Sequence, residues 1–153
     1  MSDVEKRLQA AGLTVPPAPK PAAAYVPWTR SGNLLFIAGQ IPTKDGKPAM
    51  TGKVGKELTL AQAQEMAKVC ALNAVAALKE ASGGQLDKVR ILRTQNYCNC
   101  APGFTDIHLA ANGASELFLL AFGDKGKHAR TSIGMAELPL DVPFEVEVTA
   151  VLE

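Results

Sequence analysis

Apolar and polar side chains alternate most cleanly at the end of the chain. Phe144, Val146, Val148, Ala150 and Leu152 are interleaved with Glu145, Glu147, Thr149, Val151 and Glu153, the period-two pattern of a strand with one face on a core. Glu145 and Glu147 then share the other face. From Arg130 to Ala136 the run alternates again, with Ile133 and Met135 on one side and Arg130, Ser132, Gly134 and Ala136 on the other. If these strands share a sheet, Arg130 and the glutamates can face a common space. Such a space would suit a small anion, because a guanidinium offers a planar fork to a carboxylate and a carboxylate can position water. A surface ion pair on a polar sheet face is the plainer alternative.

The rest of the pattern divides in order. Ser2 is placed to cap a short helix with Val4, Leu8 and Ala11 on one face and Gly12 at its end. Val15-Pro16-Pro17-Ala18-Pro19-Lys20-Pro21 predicts an extended arm, since proline lacks an amide donor and restrains the residue before it. A first edge strand is expected over Tyr25 to Thr29, where Pro27 argues against a central position; Ser31-Gly32-Asn33 then reads as a turn. Leu34-Leu35-Phe36-Ile37-Ala38-Gly39-Gln40-Ile41-Pro42 is apolar at consecutive positions, so this strand should be buried on both faces. After a loop from Thr43 to Leu58, Thr59 and Gln62 form a capping-box pattern. The helix they open should run to Ser82-Gly83-Gly84 with Ala63, Ala67, Cys70, Ala74 and Leu78 inward. Val89 to Tyr97 reads as a strand. Thr105 or Asp106 can cap a second helix ending near Gly123, with Ala110, Ala114, Leu117 and Ala121 as its stripe.

This order predicts an α+β fold, a sheet with two long helices on one face. Two helices leave the other face uncovered, yet the strand from Leu34 is apolar on both sides. Leaving such area wet is unfavourable by roughly 25 cal/mol per Å². A homo-oligomer closed sheet against sheet follows, with sites possible at its seams.

Composition narrows the function classes. The chain of 153 residues is 47% hydrophobic and 20% charged, values of a globular protein, and its length suits one domain over 1–153. With 16 basic and 15 acidic residues the net charge is +1, which gives no electrostatic case for nucleic acid or an anionic membrane. The start does not resemble a signal region and no apolar run reaches bilayer length, so a cytoplasmic protein is expected. Cys70, Cys98 and Cys100 form no disulfide framework, in keeping with a reducing compartment. Cys98-Asn99-Cys100 and His108 lack the second close pair of a zinc site. Gly32, Gly39, Gly46, Gly52 and Gly55 lack phosphate-loop spacing, and the two histidines offer no recognisable serine triad. Neither metal nor cofactor is expected.

Three stretches taken together resemble the RidA/YjgF family: Gly32-Asn33-Leu34-Leu35-Phe36-Ile37-Ala38-Gly39-Gln40-Ile41-Pro42, Ala129-Arg130-Thr131-Ser132-Ile133, and Leu138-Pro139 followed by Phe144-Glu145-Val146-Glu147. The resemblance covers about residues 22–153 and implies a fold like that of bacillus-type chorismate mutase, a mixed sheet with two long helices on one face, in a homotrimer. Between them, Tyr97-Cys98-Asn99-Cys100-Ala101-Pro102-Gly103-Phe104-Thr105 and Asn112-Gly113-Ala114-Ser115-Glu116-Leu117 are similar to a longer branch often labelled endoribonuclease or translation initiation inhibitor.

What the family implies is hydrolytic deamination of reactive 2-imino and enamino acids to 2-oxo acids and ammonia. An imine carbon accepts water readily, so the chemistry asks for carboxylate capture, orientation and proton management, with no metal or covalent nucleophile. By the same resemblance Arg130 is the substrate-carboxylate arginine, and Glu145 positions water or passes a proton. Tyr25 closes the pocket from a neighbouring subunit, Ser132 lies where main-chain groups meet the substrate, and Asn112 is the candidate for the family's pocket asparagine. The plainer roles are an edge aromatic for Tyr25, a solvated outer-face carboxylate for Glu145 with Glu147 as the fallback, and a small packing residue for Ser132. Gly39 reads as a place where backbones approach. Thr131 follows the arginine and Ala38 stands in β-strand sequence where better-known members carry serine, which leaves substrate preference open. His128 is either an extra acid or base near neutral pH or a capping or surface histidine. Beside the deaminase stand a trimeric protein that holds a small carboxylic acid without turnover and, from the branch label, an endoribonuclease.

Overall fold

The computed structural model describes residues 1–21 and 23–153. Ser2 and Glu5 exchange side-chain and backbone hydrogen bonds in a capping box that opens helix α1, Asp3–Ala10. Val4 and Leu8 are buried, whereas Ala11 is the C-cap and lies outside the buried face. The Asp87 carboxylate accepts from the amides of Asp3 and Val4, both at 3.1 Å, so a residue far along the chain also caps this helix. The proline-rich arm that follows contains no helix or strand.

Strand β1 spans Trp28–Ser31 and pairs with β2, Leu34–Gln40, in the register Trp28↔Ile37 to Ser31↔Leu34. The expected strand over Tyr25 to Thr29 is thus displaced. Pro27 has no amide to give to a ladder, and Tyr25 sits in a bend before the pairing begins. Inside the stretch read as loop, β3, Thr43–Lys44, and β4, Lys47–Pro48, form a small ribbon. Its turn is Asp45-Gly46, both at positive φ (52° and 76°), the conformation a two-residue hairpin requires.

Thr59 and Gln62 open helix α2, Leu60–Ala81, with both halves of the capping box formed. All five predicted inward residues, Ala63 to Leu78, are buried. Strand β5 covers Val89–Asn99. The second helix comes in two pieces, α3 at Ile107–Ala110 and α4 at Asn112–Phe122, and Asp106 precedes the first without a side-chain capping bond. Gly113 lets α4 lie directly on α2: a Cβ there would be 2.0 Å from the Gln64 carbonyl oxygen. Strands β6, Ala129–Met135, and β7, Phe144–Leu152, complete the chain.

The five-stranded sheet has the order β1-β2-β7-β5-β6, with β5 and β6 parallel and the other pairs antiparallel. Leu35 and Ile37 of β2, Ile91 and Cys98 of β5, and Phe144, Val146, Val148 and Ala150 of β7 face α2 and α4 and form the core. The opposite face is open in the single chain, where Phe36 and Ile133 are each 43% exposed. β2 is therefore buried on one face only. No helix among the described residues is long and apolar enough to cross a membrane.

Candidate functional site

The sheet order decides which side chains can meet. Strand β5 stands between β6 and β7. In the parallel ladder Thr94 lies opposite Arg130 and Asn96 opposite Ser132. Thr94 and Asn96 are also opposite Val148 and Val146, whose side chains are in the core. Arg130 and Ser132 therefore project toward the helices. Glu145 and Glu147 lie opposite Tyr97 and Gln95 on the other face. The expectation that Arg130 and the glutamates share one space within the chain is corrected: they occupy opposite sides of the sheet. Alternation divides the side chains of each strand into two sets but does not say which set faces the helices: Ile133, 43% exposed, lies on the open face, and the set of Arg130, Ser132 and Gly134 lies on the helix side.

Arg130 is gripped from the helix side. Its Nη1 donates to Asn112 Oδ1 at 2.9 Å and to Ser115 Oγ at 3.1 Å, and its Nη2 donates to the His108 carbonyl at 2.8 Å. Asn112 opens α4, Ser115 follows one turn later, and His108 is in α3. Three of the five guanidinium N–H groups are thereby engaged, which leaves Nε–H and one Nη2 hydrogen on the outer edge. The three acceptors are neutral, and no carboxylate among the described residues pairs with this exposed arginine. An oriented cation with a free bidentate edge is suited to an incoming carboxylate. Two neighbours add to its polarity: Ser132 Oγ and Asn96 Oδ1 are buried without a hydrogen-bond partner.

Glu145 belongs to a second cluster. The pairing of β2 with β7 is irregular between Ile37 and Gln40, and the bulge is held by a 3.0 Å bond from Gln40 Nε2 to the Ala38 carbonyl. The Glu145 carboxylate rests where Gly39 lacks a side chain, since an added Cβ would lie 2.0 Å from Oε1. Burial, and then the charge of Glu147, raises the pKa of Glu145. Tyr97 donates its hydroxyl to Glu147 Oε2 at 3.2 Å. Tyr25, 49% exposed, lines with Gly39 a groove of about 850 Å³ between the proline arm, α2 and the bulged end of β2.

The predicted residues thus divide in two. Arg130, Asn112 and Ser132 cluster where β6 meets α4; Glu145 gathers at the bulge of β2, with Tyr25 along the groove that Gly39 also lines. Sequence reasoning missed Ser115, Asn96 and the His108 carbonyl as partners in the first cluster. One signal was available, because Asn112 and Ser115 are spaced to share a helix face. His128 lies just before β6 rather than at the surface: its ring nitrogens meet Ser115 Oγ at 2.9 Å and the Gly126 carbonyl at 2.6 Å. The cysteines take no part. Burial raises Cys70 well above the ordinary thiol range, and burial with the neighbouring Cys100 pushes Cys98 up to about 12, which keeps both protonated and unreactive.

Comparison with known proteins agrees with this architecture. A family described as "YjgF/chorismate mutase-like, putative endoribonuclease" matches residues 5–151, so the match takes in α1 and the arm as well as the stretch from residue 22. The chain is 40% identical to protein TCP17 of Trypanosoma cruzi over 146 residues, 94% of this chain and 91% of that one. A crystal structure of an Agrobacterium tumefaciens protein of unknown function superposes with a TM-score of 0.92 at 40% identity, covering 98% of this chain and 92% of that one. A Shewanella oneidensis protein bearing the same endoribonuclease wording superposes at 0.94 with 32% identity, over 99% and 100% of the two chains. By its sequence and by its fold, this chain belongs to the RidA/YjgF family.

Proposed function

We propose that the protein is a cofactor-free hydrolytic deaminase of reactive 2-imino and enamino acids, acting at the seams of a homotrimer. The observation that carries this reading is Arg130: its guanidinium is oriented by three neutral acceptors and keeps a bidentate edge with no carboxylate partner among the described residues. That edge fits the carboxylate of an imino acid. Water then adds to the imine carbon, and the carbinolamine expels ammonia to leave a 2-oxo acid. A carboxyl that takes a proton from water and returns one to nitrogen is needed, and its pKa should lie closer to neutrality than usual. Glu145 has that property, because burial and Glu147 raise it.

Arg130 and Glu145 lie on opposite faces of one sheet, so the reading requires two copies of the chain. The open face supports assembly: Phe36 and Ile133 expose apolar area on it, and covering such area drives association. In this arrangement one subunit supplies Arg130, Asn112 and Ser132, and its neighbour supplies Glu145 and Tyr25. The test is imine consumption. Imino acids released by an amino-acid oxidase and trapped with semicarbazide should disappear faster with the protein, and Arg130→Ala should slow that loss about a hundredfold or more. No acceleration with any imine, from folded and oligomeric protein, would contradict the deaminase.

A second reading, a carboxylate-binding protein without turnover, is favoured by Ala38 and Thr131, at positions where the resemblance to the family implies serine. It needs Arg130 and not Glu145. The endoribonuclease wording of the relatives has less support here, since a net charge of +1 offers little to a polyanion.

A further inference from the structure

The grip on Arg130 extends one residue beyond its direct partners. Ser115 Oγ, which accepts from Arg130 Nη1 at 3.1 Å, lies 2.9 Å from His128 Nε2, and His128 Nδ1 lies 2.6 Å from the Gly126 carbonyl oxygen. A carbonyl can only accept, so Nδ1 carries the hydrogen. In the neutral ring Nε2 is then an acceptor, and the only proton within its reach in this set is that of the Ser115 hydroxyl. With its proton directed at His128, Ser115 turns its lone pairs to Arg130. The bonds form one directed chain: Arg130 Nη1–H to Ser115, Ser115 O–H to His128 Nε2, His128 Nδ1–H to Gly126.

The surroundings favour the neutral ring that this direction requires. His128 is half-buried, with its edge against Phe118 at a ring-centroid distance of 5.9 Å. Burial, opposed by the Gly126 hydrogen bond, and then the charge of Arg130 keep its pKa below the ordinary value. The nearby Asp124 and Lys127 are paired with each other at 2.8 Å. Asn112 and the His108 carbonyl accept from two other guanidinium N–H groups, so Ser115 is the third of three points that together fix the plane of the guanidinium.

We propose that Ser115 and His128 are positioning residues for Arg130: His128, as the neutral Nδ1–H tautomer, fixes the Ser115 hydroxyl as an acceptor and thereby sets the plane of the guanidinium edge that meets a substrate carboxylate. This rests on the reading of Arg130 as the carboxylate anchor. It places the determinant of carboxylate affinity in α4 and the turn before β6, outside the substrate contact itself.

The experiment has two arms. Nitrogen-15 NMR of wild-type protein at neutral pH should show His128 with Nδ1 protonated and Nε2 bare, and Ser115→Ala should shift the Nε2 signal and speed rotation of the Arg130 guanidinium. In the second arm, Ser115→Ala and His128→Ala should each raise KM for the imine, and the dissociation constant of pyruvate, roughly tenfold, the loss of one bond to a charged group, with kcat within about twofold. His128→Gln keeps an acceptor near the place of Nε2 and should stay near wild type, as should Ser115→Thr. An Nε2–H tautomer in the wild type, unchanged guanidinium rotation in Ser115→Ala, or His128→Gln as weak as His128→Ala would overturn the proposal. Should the wild type neither consume imine nor bind pyruvate, the anchor reading falls, and the NMR arm still decides the chain of bonds.

Discussion

Glu145 is where a single side chain constrains the chemistry most. Its carboxyl is raised first by burial and second by Glu147, two causes that mutation can separate. Glu147→Gln removes the neighbouring charge and leaves the burial. The acid limb of kcat/KM for imine loss should therefore move to lower pH in that variant while staying above the ordinary carboxyl range. A limb that does not move, or moves up, would contradict the assignment of Glu145 to proton transfer. The same shift has a sign for folding. A carboxyl with a raised folded pKa contributes stability below its unfolded value of 4.5 and loses it as pH rises through the folded value. Glu145→Gln should accordingly gain on wild type in urea midpoint as pH rises above 4.5; a difference that stays constant with pH would count against it.

At the scale of the elements, the site depends on how closely α4 lies on α2. Asn112 and Ser115 reach Arg130 because the first turn of α4 is set by Gly113 against the Gln64 carbonyl, at 2.0 Å from an added Cβ. Gly113→Ala must lift that turn. We expect a destabilisation of about 1–3 kcal/mol in denaturant titration, as for other overpacked positions, together with a higher KM for the imine. An unchanged KM would show that the turn does not position Arg130. The elements were largely legible in the sequence, because capping at Ser2 and Thr59 and the periods of α2, β5 and β7 are local properties. Much of the site was not. Tyr25 to Thr29 reads as an edge strand, but the missing amide of Pro27 starts the ladder only at Trp28. Alternation leaves Arg130 and Glu145 free to share a face because it does not tell which side of β6 meets the helices, and there the apolar Ile133 is on the open face. The grip on Arg130 is only partly legible: Asn112 and Ser115 have the spacing of one helix face and His128 stands two residues before Arg130, but the bonds that join them are made by tertiary packing.

The whole molecule raises the question that the single chain leaves open: the proposed anion anchor, Arg130, and the proposed proton carrier, Glu145, are on opposite sides of the sheet. A heterologous contact that sets the β6 edge of one copy, which carries Arg130, against the open face of the next, which carries Glu145 and Phe36, would resolve it. Phe36→Glu places a charge in that face and should convert the oligomer to smaller species in light scattering, with parallel loss of imine turnover; full activity from a monomer would contradict the seam. The most direct measurement mixes two variants that should each be inactive, Arg130→Ala and Glu145→Gln, under conditions that allow subunits to exchange. If every site takes Arg130 from one subunit and Glu145 from its neighbour, random mixing in equal amounts restores about a quarter of the sites. Recovery to about that level is the result predicted here. Activity no greater than that of either variant alone, with exchange verified, would place both residues in one subunit's site or remove one of them from the reaction, and the seam account would fail.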